Sequence, residues 1–248
     1  MAALLGNQCD ALIGYHFSAS CDSDHNGERW LVDTVGPDVA TFIDVGANVG
    51  DWTMMVLRTN PEARGVAIEP GLAALQRLRE RLPSTVEIVA AAAGKGESGP
   101  VLFYEEAGAG VRSSAVRGWA DTADERHVPV VTVDNLLDGM GWQSVDFLKI
   151  DTEGFDANVV MGSQQSLRDQ RIGIVQFEYN RPWREAGGTL GAVIELFNSV
   201  NYDVYALRPT SLDRFDYRAF GEFFNYANFV AVSGDSPFRR QLHLPHAL

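Results

Sequence analysis

From Thr41 onward, segments with the apolar pattern of a strand alternate with segments that have the apolar pattern of a helix. Short apolar runs of the kind that form buried strands are followed by segments in which apolar residues recur at helical spacing. The first part predicts strand TFIDV, a helix from about Asp51 to Thr59, strand RGVAIE, helix GLAALQRLRERL and strand TVEIVAAAA. Strands that alternate with helices of this length predict a parallel sheet built from right-handed crossover connections.

The pattern changes after Gly94. Two further strands, VLFYEE and HVPVVTVD, flank a polar loop that is long enough to indicate a function of its own. The alternation then resumes with strand SVDFLKID, a helix from about Phe155 to Arg168, strand IGIVQFEYN, helix TLGAVIELFNSV, strand YDVYALR and a closing strand NFVAVS. The sequence therefore predicts an α/β fold with about seven core strands between two layers of helices.

The same pattern divides the chain into three parts. Residues 1–37 are predicted to form an N-terminal helical cover, residues 38–236 a single domain with a lid insertion at about 100–134, and residues 237–248 a C-terminal tail. A chain of 248 residues is long enough for one such domain with a sizeable core.

Charge and hydropathy narrow the range of partners. A formal net charge of −13 and an isoelectric point near 4.7 would repel a phosphate backbone, so we expect no nucleic-acid partner. No apolar run approaches the roughly 18 residues that a membrane-spanning helix needs, and the first residues lack the pattern of a secretory signal. Two cysteines, Cys9 and Cys21, are too few for a disulfide framework. We therefore expect a cytoplasmic protein without membrane insertion.

The chemistry that the sequence offers lies where the predicted parallel strands end, because ligands of open parallel sheets bind beyond these carboxyl ends. The first strand ends at Asp44 and opens into the turn GANVG, whose glycines allow a ligand to approach the backbone. The second strand ends in Glu69, a carboxylate suited to accept two hydrogen bonds from a ribose diol. The third ends in small residues around Ala91 and Ala92, which leave room for an adenine ring.

The first of these turns differs from a dinucleotide-binding turn. A GxGxxG motif presents glycine backbone and a helix N-terminus to a pyrophosphate, whereas the turn after Asp44 lacks the middle glycine. A carboxylate at this position repels a diphosphate and attracts a cation. The turn therefore predicts a nucleoside with a positive sulfonium and a zwitterionic amino-acid tail, which describes S-adenosylmethionine (SAM). A strand-to-helix turn that uses glycine for geometry alone is the structural alternative.

Several segments together resemble the FkbM-type methyltransferases, a branch of the class I SAM-dependent enzymes. These segments are FIDVGANVG, AIEP, Ser113 with Ser114, VTVDNLL, DFLKIDTEGFDANVVMGS and VQFEYN, and the resemblance covers about residues 27 to 233. It implies a seven-stranded Rossmann-like sheet, mostly parallel with the last strand antiparallel. It also implies methyl transfer to an oxygen of a sugar, polyketide or related small molecule. Asp156 and Asn158 depart from the family pattern, which leaves the acceptor open.

The strand ends and the resemblance give one set of candidate cofactor-binding residues. The resemblance implies contacts from Asp44, Gly46, Asn48, Glu69 and the region of Ser113. The complete predicted set is Asp44, Gly46, Ala47, Asn48, Gly50, Thr53, Glu69, Pro70, Ala91, Ala92, Ser113, Ser114 and Asp151.

The fourth and fifth strands supply the candidate catalytic residues. Methyl transfer needs an aligned acceptor oxygen and a group that takes its proton. Lys149 and Asp151 lie on one face of the strand and Glu153 follows its end, and we expect Asp151 first and Glu153 second to act as the base. An ion pair of Lys149 that only stabilises strand ends is the alternative. The candidate substrate-binding residues are Glu178, Tyr179, Asn180 and Trp119.

The predicted function is SAM-dependent transfer of a methyl group, by in-line displacement, to a hydroxyl oxygen of a small-molecule acceptor such as a natural product, sugar or glycan. Asp151, Glu153 and Glu178 could form an oxygen-rich magnesium site, but the resemblance does not require a metal and we expect none to be needed. Three alternatives stay open: methylation at nitrogen, an NAD(P)-dependent oxidoreductase, and a non-catalytic nucleoside-binding protein of the same fold.

Overall fold

A computed structural model of the chain describes residues 20, 22–96, 99–106, 113–116 and 123–245. The strands in this part of the chain are β1 (Thr41–Val45), β2 (Arg64–Ile68), β3 (Val86–Val89), β4 (Ala92–Ala93), β5 (Val101–Glu106), β6 (Ala123–Val128), β7 (Val130–Val131), β8 (Val145–Ile150), β9 (Ile172–Tyr179), β10 (Tyr202–Arg208), β11 (Ser211–Arg214) and β12 (Ala227–Ser233). The α-helices are α1 (Glu28–Val35), α2 (Asp51–Thr59), α3 (Leu72–Arg81), α4 (Val133–Gly139), α5 (Asp156–Met161), α6 (Gln164–Arg168), α7 (Pro182–Glu185), α8 (Leu190–Ser199) and α9 (Tyr217–Phe220).

Eight of the described strands form one sheet in the order β11-β10-β12-β9-β8-β1-β2-β3. From β3 to β9 all neighbours are parallel, whereas β12 pairs antiparallel with both β9 and β10. This arrangement confirms the predicted α/β fold, a mostly parallel sheet between helices whose last strand is antiparallel. The sheet has one strand more than predicted, because the chain turns back after β10 and adds β11 at the edge as an antiparallel hairpin.

Apolar side chains cover both faces of the sheet, since successive residues of a strand point to opposite faces. On β8, Phe147 packs in the cluster that includes α1, α2 and α3, whereas Leu148 packs in the cluster that includes α4, α5 and α8. Trp52 stands edge-on to Phe42 and Phe147, with ring centroids 5.9 and 5.0 Å apart. These two apolar layers hold the carboxyl ends of the central strands in fixed positions.

The predicted helix from Phe155 to Arg168 is wrong as a single element, because the chain forms two short helices, α5 and α6. The hydroxyl of Ser163 donates to the carbonyl oxygen of Val159 at 2.8 Å, a bond that competes with helical hydrogen bonding. A Cβ atom on Gly162 would lie 1.9 Å from the carbonyl oxygen of Gly94, so the break also allows close packing against the loop after β4.

The predicted strand HVPVVTVD ends earlier than expected. Oγ1 of Thr132 accepts a hydrogen bond from the N–H of Asn135 at 3.0 Å and so caps α4, which begins at Val133. The predicted insertion at about 100–134 contributes β5, β6 and β7. β5 pairs antiparallel with β6, and β7 pairs parallel with β4, which precedes the insertion, so two small sheets lie outside the main one.

The ends of the described chain pack against the domain. In the predicted N-terminal cover, α1 buries Leu31, Val32 and Val35 against one face of the sheet. In the predicted tail, Phe238 is buried and Nη2 of Arg239 lies 2.7 Å from Asp203 on β10, so residues 237–245 pack on the sheet. None of the helices in the described ranges is long and apolar enough to cross a bilayer.

Candidate functional site

A cavity of about 1000 Å³ opens over the carboxyl ends of β1, β2, β8 and β9. It lies where the strand order reverses, between β1 and β8, which is the usual ligand position in sheets of this kind. Small-molecule pockets have volumes of about 300–1,000 Å³. The cavity therefore has room for a cofactor and an acceptor side by side.

The turn after β1 forms one wall of the cavity. Gly46 has a φ of 76°, and a Cβ atom there would lie 1.7 Å from the carbonyl oxygen of Asp151, so only glycine fits between β1 and β8. The N–H groups of Gly46 and Ala47 donate to the carbonyl oxygen of Ile68, which joins the turn to β2. Gly46 and Asn48 line the cavity, as predicted, whereas Ala47 and Gly50 do not.

Gly50 serves the turn itself. It has a φ of 82° and occupies the N-cap position of α2, where an added Cβ atom would lie 3.0 Å from the side chain of Leu78. Backbone geometry therefore explains the second glycine of the turn. At this position the turn uses glycine for its conformation and not for contact with a ligand.

Asp44 lies beneath the turn instead of in the cavity. Its side chain is fully buried, its Oδ2 accepts a hydrogen bond from the hydroxyl of Thr53 at 2.6 Å, and its Oδ1 lies 3.9 Å from Nζ of Lys149. Burial raises the pKa of Asp44, while Lys149 opposes that shift. The predicted direct contacts of Asp44 and Thr53 with a cofactor are thus replaced by a support for the turn.

Glu69 lines the cavity at the end of β2. Its Oε2 accepts the N–H of Asn48 at 2.9 Å and its Oε1 accepts the N–H of Gly71 at 2.7 Å, which fixes the carboxylate in place. Burial raises the pKa of Glu69 to about 7, against the lowering effect of these hydrogen bonds. Glu69 therefore offers a rigid acceptor whose charge changes near neutral pH.

The cavity wall beyond the ends of β2 and β3 is largely apolar. Ala91 and Ala92 line it as predicted, together with Pro70 and Phe103. Ser113 also lines it, and its Oγ accepts the N–H of Glu106 at 2.9 Å. These surroundings suit a flat, apolar ring.

Ser114 holds the insertion against the main domain. It is buried, and its hydroxyl donates to the carbonyl oxygen of Glu153 at 2.7 Å and accepts the N–H of Val116 at 3.0 Å. Ser114 therefore does not face the cavity, although its neighbour does.

Acids gather at the ends of β8 and β9. Asp151, Glu153 and Glu178 all line the cavity, and one carboxylate oxygen of each lies within 4.8 Å of the others. Burial raises the pKa of Glu178 well above its ordinary value, and the charges of Asp151 and Glu153 add to this effect.

Lys149 is a buried cation below these acids. Its Nζ lies 3.1 Å from Oδ2 of Asp151. Burial disfavours the charged form of Lys149, yet the carboxylates around it, led by Asp151 and Asp44, raise its pKa above the ordinary value. Lys149 does not line the cavity, but its partner Asp151 does.

One predicted substrate-binding residue, Tyr179, does not line the cavity. Tyr179 is fully buried in an aromatic cluster with Trp183 and Phe223, and its hydroxyl donates to Glu222 at 2.9 Å. Trp119 lies outside the described residues. Asn180, like Glu178, lines the cavity as expected, since alternate residues at the end of β9 point the same way.

The cavity also contains residues that were not predicted from the sequence. Glu28, at the start of α1, lines it and accepts a hydrogen bond from Gln176 at 2.6 Å. Asn26 and Tyr226 lie beside it, and Nδ2 of Asn228 donates to the Tyr226 hydroxyl at 3.2 Å. No local pattern marks Glu28, but the aromatic density of FGEFFNYANF could have indicated a binding wall.

Backbone strain concentrates at the cavity. Among the described residues six non-glycine residues have positive φ, and three of them, Asn48, Glu153 and Phe224, line this cavity. Conformations of this kind cost free energy and persist where the surrounding structure imposes them, often at functional sites.

Acidic side chains outnumber basic ones on the cavity wall. Of the described lining residues, six carry a carboxylate and two carry a guanidinium group. They are Glu28, Glu69, Glu105, Asp151, Glu153 and Glu178, against Arg181 and Arg184. The wall therefore attracts cations and repels phosphates.

The family model described as the Methyltransferase FkbM domain matches residues 44–204. This range is more than half of the chain and holds the turn after β1, Glu69 and the acids at the ends of β8 and β9. The chain belongs to the FkbM methyltransferase family. The family predicted from the sequence motifs is thereby confirmed.

Solved structures similar to the chain include three methyltransferases. A methyltransferase FkbM from Methylobacillus flagellatus KT is 14% identical with a TM-score of 0.47, over 78% of this chain and 44% of that protein. An O-methyltransferase from Bacillus cereus in complex with SAH is 14% identical with a TM-score of 0.48, over 92% of this chain and 88% of that protein. The O-methyltransferase TomG from Streptomyces achromogenes, involved in tomaymycin synthesis and in complex with SAM, is 11% identical with a TM-score of 0.44, over 83% and 79%.

The chain spans less than half the length of the M. flagellatus FkbM protein. No curated protein matches the chain in sequence.

Proposed function

We propose that the chain transfers the methyl group of SAM to a hydroxyl oxygen of a small molecule, namely a natural product, sugar or glycan. The observation that carries this proposal is the acidic cavity wall, with six carboxylates and two guanidinium groups among its described residues. Such a wall disfavours the diphosphate of a dinucleotide and favours a cofactor that carries a positive sulfonium. Membership of the FkbM methyltransferase family supports methyl transfer as the reaction.

The cofactor is expected to lie across the ends of β1, β2 and β3. Glu69 is held by two backbone N–H groups, and it still has lone pairs for the two hydroxyls of a ribose. Ala91 and Ala92 supply an apolar wall for the adenine ring, and the backbone at Gly46 allows the amino-acid tail to approach closely.

The acceptor is expected to lie between the ends of β8 and β9 and the aromatic segment before β12. Arg181 and Arg184 line this half beside Phe224 and Tyr226, which gives the acceptor both apolar and hydrogen-bonding surfaces. Glu178 and Asn180 face the same space and are suited to bind acceptor hydroxyls.

Asp151 is the first candidate for the base. SAM supplies an electrophilic methyl carbon on sulfur, so the chain has to align an acceptor hydroxyl and take its proton. The Asp151 side chain is 33% exposed in the cavity, and its Oδ2 accepts a hydrogen bond from Nζ of Lys149 at 3.1 Å, which orients the carboxylate. The acceptor oxygen bonds to the methyl carbon as the carbon–sulfur bond breaks, and the hydroxyl proton passes to the Asp151 carboxylate. Glu153, two residues further on, is the second candidate.

A screen with isotopically labelled SAM tests this function. Hydroxylated and amino acceptors are incubated with the chain, and nuclear magnetic resonance of any labelled product distinguishes a methyl ether from an N-methyl group. We expect labelled methyl ethers. Labelled N-methyl products, or bound SAM without turnover on any acceptor, would contradict the proposal.

Replacement of the base gives a sharper test once an acceptor is known. We expect Asp151→Asn to lower kcat by at least about 100-fold, because general-base catalysis contributes factors of that size. The matched control is Asp235→Asn, which removes one exposed carboxylate outside the cavity and should leave kcat unchanged. Equal kcat values for the two variants would remove Asp151 from the mechanism.

A further inference from the structure

The three acids at the ends of β8 and β9 come from different places in the fold. Asp151 follows β8, Glu153 lies in the next turn with a φ of 53°, and Glu178 is the penultimate residue of β9. One carboxylate oxygen of each lies within 4.8 Å of the others. Because the parallel strands fix Asp151 and Glu178 side by side, the fold imposes this crowding of negative charge.

Lys149 lies beside this cluster but also serves another carboxylate. Lys149 lies 3.1 Å from Asp151 and is shared with Asp44, whose Oδ1 is 3.9 Å away. Asp156, fully buried below the same turn, adds a further carboxyl group that acts on Glu178. The charge of Lys149 is therefore divided between Asp151 and Asp44, while Asp156 adds to the negative charge around Glu178.

A separate observation concerns Asn180. Its side chain is 5% exposed and lines the same cavity, and its Nδ2 donates to Oε1 of Glu178. While Glu178 is ionised, exchange of the amide oxygen and nitrogen would place two acceptors against each other, so the ionised carboxylate sets this orientation of the amide. Its Oδ1 is buried without a hydrogen-bond partner among the described residues. A buried acceptor left without a partner is costly, and a bound cation would satisfy it.

We propose that Asp151, Glu153 and Glu178, with the amide oxygen of Asn180, bind one hard divalent cation such as Mg²⁺ or Mn²⁺. An all-oxygen ligand set favours these ions over zinc or copper, which prefer nitrogen and sulfur ligands. The ion would lie where the acceptor hydroxyl is expected, so it can orient that hydroxyl and lower its pKa. The sequence offers the same three acids as a magnesium site, with no metal expected to be required.

Electron paramagnetic resonance of Mn²⁺ tests the site without any cofactor or acceptor. The full chain is freed of metal with a chelator, exchanged into buffer at pH 8, where carboxyl groups of raised pKa are more fully ionised, and titrated with Mn²⁺. We expect the signal of free Mn²⁺ to fall by one equivalent per chain, and Mg²⁺ to displace the bound ion.

Two charge-neutral variants locate the site. We expect Glu178→Gln and Glu153→Gln each to weaken Mn²⁺ binding by at least about tenfold, since even residues around the ligands of a metal change its affinity by about 10- to 100-fold. The matched control is Glu62→Gln. This variant loses an exposed carboxylate near the amino end of β2, whereas the cavity lies at the carboxyl ends of the strands, and it should bind Mn²⁺ like the parent chain. Circular dichroism shows whether each variant is folded. If Glu178→Gln does not fold, Glu153→Gln carries the test, because Glu153 is only half-buried.

Absence of bound Mn²⁺ in the parent chain would overturn the proposal, as would unchanged affinity in Glu153→Gln. Calorimetric titration with SAH in the presence of chelator separates this result from the proposed function. If the parent chain binds SAH but not Mn²⁺, the metal site alone is rejected. If it binds Mn²⁺ but not SAH, the proposed cofactor alone is rejected.

Discussion

Gly46 is the residue at which the site tolerates least change. Its φ is 76°, and an added Cβ atom would lie 1.7 Å from the carbonyl oxygen of Asp151. Because this contact joins β1 to β8 below the cavity, we expect Gly46→Ala to lower the free energy of unfolding by about 3 kcal/mol or more. Chemical denaturation measures this change.

Gly139 provides the matched control for that substitution. It is the last residue of α4, and an added Cβ atom meets no heavy atom within 4 Å beyond its own helix and chain neighbours. We expect Gly139→Ala to be neutral or to stabilise the chain by up to about 1 kcal/mol. Similar unfolding free energies for the two variants would show that the contact of Gly46 with Asp151 is not tight.

We expect Glu69 to make cofactor affinity depend on pH. Burial raises its pKa to about 7, and the ionised form is the one that accepts hydrogen bonds from a ribose diol. As the pH falls from 8 to 6, the ionised fraction falls from about nine tenths to about one tenth, so we expect SAH to bind about tenfold more weakly at pH 6. Calorimetric titrations at both values measure this.

The variant Glu69→Gln assigns the titration to this residue. We expect it to bind SAH more weakly at pH 8 than the parent chain does, with little further loss at pH 6. A variant that keeps the full tenfold pH dependence would assign the effect to another group, and Asp156, whose pKa burial also raises to about 7, is then the next to test.

Position at a strand end could be predicted from the sequence, but depth below the surface could not. Glu69 and Asn48 line the cavity because the apolar run before each fixes where its strand stops. Asp44 has the same signal, yet Thr53 and Lys149 meet it from other elements and remove it from the cavity. Glu28 reaches the site from α1 and forms a hydrogen bond with a residue 148 positions away, a contact that no local pattern indicates.

At the scale of elements, Glu222 attaches the aromatic segment before β12 to α8. Its carboxylate accepts the hydroxyls of Tyr179 and Tyr217, at 2.9 and 3.0 Å, and the first two N–H groups of α8, at 3.0 and 2.8 Å. Its removal leaves a buried hydroxyl and a helix N-terminus without their acceptor. We expect Glu222→Ala to lower the free energy of unfolding by about 2–4 kcal/mol, as measured by denaturation.

The exposed Glu195 on the same helix is the matched control, because no hydrogen bond or ion pair is found for its side chain within the described ranges. We expect Glu195→Ala to change stability by less than about 0.5 kcal/mol. If Glu222→Ala were equally mild, the segment that carries Phe223 and Phe224 would be held by apolar packing alone.

The elements that sequence periodicity missed are those whose limits depend on tertiary contacts. The helical pattern runs through Gly162 and Ser163 without a break, but the close approach of Gly94 interrupts the helix there. The edge strand β11 reads SLDR and is mostly exposed, so it has no apolar alternation by which to be recognised. The long core strands, by contrast, follow directly from their apolar runs.

At the scale of the whole molecule, alternation of strands and helices predicts the parallel sheet, and the sheet order places its switch point between β1 and β8. The turn after β1 and the acid after β8 meet at this point, which explains why segments distant in sequence form one cavity. The chain as a whole is acidic, with a net charge of −13, and the cavity is acidic too, because carboxyl groups outnumber guanidinium groups among its described residues.

The central claim is that this cavity selects a positively charged adenosine cofactor over a phosphorylated one. Calorimetric titration of the chain with SAM, compared with NAD⁺ in the same buffer, tests it most directly. We predict one SAM site of micromolar affinity and no heat of binding with NAD⁺. Binding of NAD⁺ with equal or greater affinity, or no binding of SAM, would contradict the claim.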